Sequence, residues 1–208
     1  MNIKVCGITQ LKQLQQLEGL NIDFAGLIFS KDSSGYIEGH IDKAALKSAD
    51  FDLKKTGVFV NPELIDVLDA IDGYGLDVVQ LHGNESAEMC EDLSGEVEVI
   101  KTLRVEANSN IDEMLAEYDG VCDYYLFEAA GNKPGGNEKK FDWKLLNNAK
   151  IEKPFFFSGG IGVDDIAALK KFNHPDFFGV DINSRFDQSP GVKDMALILK
   201  FWQGLKNQ

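Results

Sequence analysis

Cysteine is scarce in this 208-residue chain, which has three: Cys6, Cys90 and Cys122. An odd number, with no C-x-x-C pair and no metal-ligand spacing, argues against a disulfide framework and against a structural zinc site. Basic residues are also in short supply, 21 Lys and Arg against 34 Asp and Glu, giving a formal net charge of −13. A nucleic-acid partner needs a basic surface, so that class is excluded. A small anionic ligand, held by a few amides and cations, is not. No apolar run approaches the roughly 20 residues that a membrane-spanning helix needs. The N-terminus enters an apolar run directly, without a basic region and signal core. A soluble protein of a reducing cytoplasm is the expectation.

What the chain does have is one alternation repeated to its end. Apolar runs of β type occur at Asn2–Cys6, Ile22–Phe29, Lys55–Val60, Asp77–Leu81, Val97–Thr102, Tyr124–Glu128, Pro154–Ser158 and Phe177–Asp181. Several are almost continuously apolar, as strands covered on both faces tend to be. Helical stripes fill most intervals. In "NPELIDVLDAIDGYG" Asn61 is placed to cap and Pro62 to take the first helical position, before a stripe of Leu64, Leu68 and Ile71. Leu11, Leu14 and Leu17 form a shorter stripe, Ile111, Leu115 and Tyr118 another, and Val163, Ile166 and Leu169 a fourth. Pro190-Gly191 is expected to open a last helix striped by Met195, Ile198, Trp202 and Leu205, while only "DWKLLNNA" is available for a helix after Phe141. Units of about 20 to 30 residues have the size of a βα repeat. Eight of them, with no linker between, predict an α/β fold: a single (βα)8 TIM barrel over residues 1–208. A doubly wound open sheet is the competitor, but no Gly-x-Gly-x-x-Gly turn follows the first run.

In a barrel, chemistry sits where strands end and βα loops begin. Those positions are Cys6, Ser30-Lys31, Asn61, Gln80 with His82, Lys101 to Arg104, Glu128, Ser158-Gly159-Gly160, and Asp181 with Asn183-Ser184-Arg185. "FFFSGGIGVDD" follows the seventh run and "GVDINSRF" contains the eighth. Glycines let a backbone approach a ligand closely, and the last two loops of a barrel are where a phosphate often binds, although glycines also serve tight turns. Gly159, Gly160, Ile161, Asp181, Asn183, Ser184 and Arg185 are therefore the candidate phosphate and sugar contacts. Cys6 is either a small buried hydrophobe or a thiol held at a strand end. With Glu128 it can serve as a base and acid pair in a proton transfer. His82 reads either as a packed strand-end residue or as a pocket group.

The motifs "KVCGIT", "GVFVN", "VQLHG", "PGGNEKKFDW", "SGGI" and "GVDINSRFDQSPGVKD", in this order, resemble the phosphoribosylanthranilate isomerase family of tryptophan biosynthesis from end to end. That resemblance implies a cofactor-free, metal-free barrel performing an Amadori rearrangement. The substrate would be N-(5-phosphoribosyl)anthranilate and the product 1-(2-carboxyphenylamino)-1-deoxyribulose 5-phosphate. It makes Cys6 the base at C2 and Glu128 the acid at the ring oxygen. The partner expected is a small sugar phosphate, with no nucleic acid and no membrane, and the chain is open to being a monomer or a homodimer. A thiol of ordinary pKa near 8.5 would need lowering for that work, by cationic neighbours or a bound iminium.

Three features depart from the family pattern. Glu128 stands where an aspartate is usual, Gly35 where an arginine precedes the tyrosine, and Asn137-Glu138 replace part of a Gly-rich run. Lys31 and Arg185 are candidate replacement cations for the missing arginine. A diverged, catalytically weakened sugar-phosphate binder of the same family, or a barrel of the histidine-pathway type, are the alternative readings; the latter would show phosphate loops in both halves.

Overall fold

The computed structural model describes residues 1–131, 140–147 and 149–206. Eight parallel strands close into a barrel in chain order: β1 (Asn2–Cys6), β2 (Phe24–Ile28), β3 (Lys54–Phe59), β4 (Val78–Leu81), β5 (Glu98–Val105), β6 (Tyr124–Ala129), β7 (Phe155–Phe157) and β8 (Phe177–Ile182). Around it lie α1 (Leu11–Gly19), α2 (Lys43–Ser48), α3 (Leu64–Tyr74), α4 (Ala87–Ser94), α5 (Ile111–Ala116), α6 (Ile166–Lys171) and α7 (Met195–Lys206). Strands β2, β4 and β7 are buried along their whole length, which is why the sequence carries apolar runs there rather than alternation.

A repeated aspartate sets the register at the N-terminal end. Asp23, Asp77 and Asp123 precede β2, β4 and β6, and their carboxylates accept from the amides of Ile3, Lys55 and Val99 at 2.8, 2.8 and 2.7 Å. Each pins an odd strand to the even strand that follows it.

That register decides which side chains look inward. On β1 to β7 the inward positions are the even-numbered residues, because a strand turns alternate side chains to one face. Phe24, Val78, Ile100, Leu126 and Phe156 accordingly form an inner layer, with Tyr124 and Phe178 against it. Their rings meet edge to face, at 5.4 Å between Phe24 and Phe156 and 5.2 Å between Phe156 and Phe178. Lys54 and Glu98 pair beneath them at 2.5 Å. On β8 the register slips by one residue, Phe155 facing Phe177 but Phe156 facing Gly179. This irregularity turns odd-numbered Asp181 into the barrel, as a bulge re-aims a side chain.

Four boundaries differ from the sequence expectation. α3 starts at Leu64 with Glu63 at its N-cap, and Asn61 adopts a left-handed conformation (φ 46°) instead of capping it. The Asn61 side chain is used elsewhere, accepting from the Asn84 amide at 2.7 Å, and the most buried residues of α3 are Val67, Ala70 and Tyr74. Pro190-Gly191 does not open α7. It turns a short antiparallel hairpin, β9 (Asp187–Ser189) with β10 (Val192–Lys193), and Asp194 caps α7 by accepting from the Leu197 amide at 2.9 Å. The segment after Phe141 forms one 3-10 turn, Trp143–Leu146. Finally, β5 runs on to Val105, so Lys101 and Arg104 lie within the strand.

Candidate active site

Cys6 ends β1 on the inward face. Its relative exposure is 4%, and Ile28 and Val58 wall it on one side. Gly26 of β2 lies directly against it: a Cβ there would come within 2.8 Å of Sγ and 2.9 Å of the Cys6 Cα. Below the thiol, Lys4 is fully buried and donates to Asp181 Oδ1 at 2.9 Å. Asp181 Oδ2 accepts from Ser158 Oγ at 3.3 Å. Burial pushes the Cys6 thiol above its ordinary value; Lys4 and Lys193 pull it down and Asp181 adds to the rise. The neighbouring cations therefore do not by themselves lower the thiol as the sequence reading required.

Glu128 is the penultimate residue of β6 and is 2% exposed. Two donors converge on its Oε1, His82 Nε2 at 3.0 Å and Arg104 Nε at 3.4 Å. Gln80 Nε2 donates to His82 Nδ1 at 3.0 Å and to Thr102 Oγ1 at 3.2 Å. With Nδ1 accepting, the ring proton of neutral His82 is on Nε2, the nitrogen facing Glu128. The contacts are close in charge but poorly aligned as hydrogen bonds. His82 Nε2, Arg104 Nε and Glu128 Oε1 all remain buried without a hydrogen-bond partner. Such groups are rare in native interiors and mark a place that a ligand can complete.

His82 is held in place by the loop behind it. Glu85 Oε1 accepts from the amides of Asn61 and Gly83, both at 2.8 Å, and its Oε2 pairs with Lys101 at 2.7 Å. Arg104 braces the same loop, donating to His82 O and, at 3.1 Å, to Asn84 Oδ1.

After β7 the chain makes a glycine-lined loop, and after β8 a polar one of Asn183, Ser184 and Arg185. Gly159 and Gly160 both have positive φ, 90° and 60°, which a side chain would oppose. Ile161 is buried in the core behind them. Asn183 Oδ1 accepts from Lys193 at 2.8 Å, and Ser184 and Arg185 enter a 3-10 turn, Ser184–Phe186. The Arg185 guanidinium crosses to the β7 loop, donating to Gly160 O at 3.0 Å and Asp164 Oδ2 at 2.9 Å. It fits because residue 162 is glycine, whose Cβ would lie 2.6 Å from the guanidinium carbon.

Cys6, Glu128, Asp181, Asn183 and the backbone of 159–161 all lie at the C-terminal end of the barrel strands or in the loops that follow them. Arg185 is engaged by Asp164, which corrects its reading as a free replacement cation; Lys31 is exposed. Gly35 is seated over Gly7, where a Cβ would be 3.4 Å from the Gly7 Cα. Asn137 and Glu138 lie outside the described residues. Sequence reasoning missed Lys4 and underrated His82 and Arg104 as neighbours of Glu128. A signal existed for Lys4, a lysine two residues before a strand-end cysteine in a run buried on both faces. Lys101, read as a rim residue, points outward to Glu85. Among the described residues, no group of three His, Cys, Asp or Glu side chains is arranged to hold a metal ion.

Comparison with known proteins gives the same answer over the whole barrel. The model of the family described as N-(5'-phosphoribosyl)anthranilate isomerase matches residues 3–204. The chain is 37% identical to the N-(5'-phosphoribosyl)anthranilate isomerase of Parabacteroides distasonis over 205 residues, 98% of this chain and 92% of that protein. Among solved structures, the phosphoribosyl anthranilate isomerase of Thermotoga maritima superimposes with a TM-score of 0.88 at 28% identity, covering 100% of both chains. A structure of phosphoribosyl anthranilate isomerase in complex with reduced 1-(o-carboxyphenylamino)-1-deoxyribulose 5-phosphate superimposes with a TM-score of 0.83 at 26% identity, again over 100% of both. The barrel, its glycine-lined mouth and these full-length matches agree, and the chain belongs to the N-(5'-phosphoribosyl)anthranilate isomerase family.

Proposed function

We propose that Cys6 and Glu128 are the base and acid with which this isomerase converts N-(5-phosphoribosyl)anthranilate to 1-(2-carboxyphenylamino)-1-deoxyribulose 5-phosphate in tryptophan biosynthesis. The isomerase activity follows from family membership, and the product analogue bound to the relative supports the substrate class. The observation that carries the residue assignment is the position of the two groups. Both are inward-facing strand ends of one closed barrel, on β1 and β6, and both open onto the mouth bounded by the β7 and β8 loops.

The protonated Glu128 carboxyl gives its proton to the furanose oxygen. The C1–O bond breaks, and the nitrogen lone pair forms a C1=N iminium. His82 and Arg104 then stabilise the carboxylate left behind, since both already face Oε1. The Cys6 thiolate takes the proton from C2, and the C2–H electrons neutralise the iminium to give an enolamine. Tautomerisation adds a proton at C1 and removes one from the C2 hydroxyl, leaving the ketone. The 5-phosphate rests on the amides of Gly160, Ile161, Ser184 and Arg185, with Gly159 shaping the turn, while Asp181 and Asn183 face the sugar. Peptide amides beside a helix start are suited to an anion, and their distance from C2 keeps the phosphate out of the chemistry.

The same reading has one domain working in the cytoplasm as monomer or homodimer, on a small sugar phosphate and without coenzyme. No described helix is long and apolar enough to cross a membrane. The weakened-member alternative gains no support, because the family model spans residues 3–204 and the relative matched over 98% of this chain is named as an isomerase. The experiment is complementation of a tryptophan auxotroph lacking this isomerase. Wild type should rescue growth, and Cys6→Ala and Glu128→Ala should not. Rescue by either alanine variant would remove that residue from the mechanism.

A further inference from the structure

A thiol that must act as a base stands in a dry, mostly apolar niche, so something in the niche has to favour its anion. The elements packed against it offer few charges. β2 contributes Gly26 and Ile28 and β3 contributes Val58. The charged groups facing Cys6 are Lys4 from its own strand, Asp181 from β8 and Lys193 from the chain after the hairpin turn. Lys193 is committed to Asn183 and Asp187.

Lys4 is different. It lies two residues before Cys6, so both side chains leave β1 on the same face. It is opposite Asp181 in the β1–β8 ladder, and the ammonium sits 2.9 Å from Asp181 Oδ1 with the lysine side chain at zero exposure. An ammonium has three donors, and this bond uses one of them. Burying a lysine this completely is costly, and a neutral residue on β1 would fill the same space without that penalty.

We infer that Lys4 is a positioning residue for proton abstraction, its ammonium anchored by Asp181 as the counter-charge of the Cys6 thiolate. This rests on the assignment of Cys6 as the base. Asp181 has two opposed effects: it holds the cation in place, and its own charge disfavours the thiolate. Burial pulls the Lys4 pKa down, but Asp181 and Cys6 together raise it above the ordinary lysine value, which favours the ammonium over the neutral amine.

The opposed signs make the proposal testable. The thiolate absorbance of Cys6 is titrated in the full-length protein, by difference against a matched Cys6→Ser background that removes the signals of Cys90 and Cys122. Lys4→Met should move the Cys6 midpoint up by about one unit or more, a tenfold loss of thiolate at fixed pH. The pH profile of kcat should move with it, and KM should hold. Asp181→Asn should move the midpoint down, and Lys4→Arg should stay near wild type. A wild-type or lowered midpoint in folded Lys4→Met would overturn the inference. If Lys4→Met does not fold, Lys4→Gln decides: a midpoint unchanged or lowered overturns it. Because the titration needs no turnover, it is separable from the base assignment, which fails instead if Cys6→Ser retains activity.

Discussion

At the N-terminal end of the barrel Phe24 meets Tyr124, Phe156 and Phe178 edge to face above the Lys54–Glu98 pair. At the C-terminal end the same inward positions carry Cys6, His82, Arg104 and Glu128, and buried polar atoms stand there without partners. One strand can serve both ends: β6 supplies Leu126 to the aromatic layer and Glu128, two residues on, to the mouth. The difference teaches that a barrel separates its labours along the strand axis. Surface that holds the fold together is concentrated at one end, and groups that a folded protein would prefer to satisfy are left waiting at the other.

The largest expected effect on that contrast comes from emptying the aromatic layer. Phe156→Ala should lower stability by about 3–5 kcal/mol, as deletion of a fully buried aromatic does, and leave turnover per folded molecule unchanged. Denaturant unfolding beside single-turnover kinetics checks both halves. Equal losses in stability and turnover would mean that the two ends are mechanically coupled.

The next effect belongs to the mouth. Glu128→Asp restores the residue usual in the family, yet His82 and Arg104 here lie 3.0 and 3.4 Å from the longer carboxylate. Shortening it by one methylene should reduce kcat by about 10- to 100-fold, the scale of an ångström-sized misplacement. Thermal stability should stay level, since no aromatic contact is touched. Steady-state kinetics decides; a faster aspartate variant would mean that the mouth is still shaped for the shorter acid.

The barrel itself was legible because parallel strands covered on both faces must be apolar almost throughout, as in "FAGLI" of β2 and "FFF" of β7. Cys6 and Glu128 were legible because each terminates such a run. Asp181 was harder, since its inward aim depends on a register slip at Phe178-Gly179 that no periodicity announces. Lys101 was misread for a related reason: β5 runs past it, and its parity sends it outward to Glu85. Pro190-Gly191 can open a helix or turn a hairpin, and the hairpin is held from 182 residues away by Thr9, whose hydroxyl donates to Gly191 O at 2.6 Å. Arg185 met Asp164 across two loops, a pairing that only the folded chain creates.

The smallest effect separates the thiol of the mouth from those of the outer shell. Cys90 and Cys122 are buried against the helices, and burial pushes their pKa values up to about 11 and about 12. Unfolded, each ionises near 8.5. Between those values the unfolded chain has lost protons that the folded chain keeps, so stability is complete below about pH 8.5 and falls as pH rises. Each shell thiol should remove about 1 kcal/mol between pH 8.5 and 9.5, measured as urea midpoints. Cys6 shares the sign through its own burial; with Lys4 as the counter-charge inferred above, its share should be smaller than theirs. Cys122→Ala should flatten the alkaline decline more than Cys6→Ala does. If Cys6→Ala flattens it as much, the thiol at the mouth has no more help in ionising than the two in the shell, and the contrast between the chemical end of the barrel and its structural surroundings is lost at that residue.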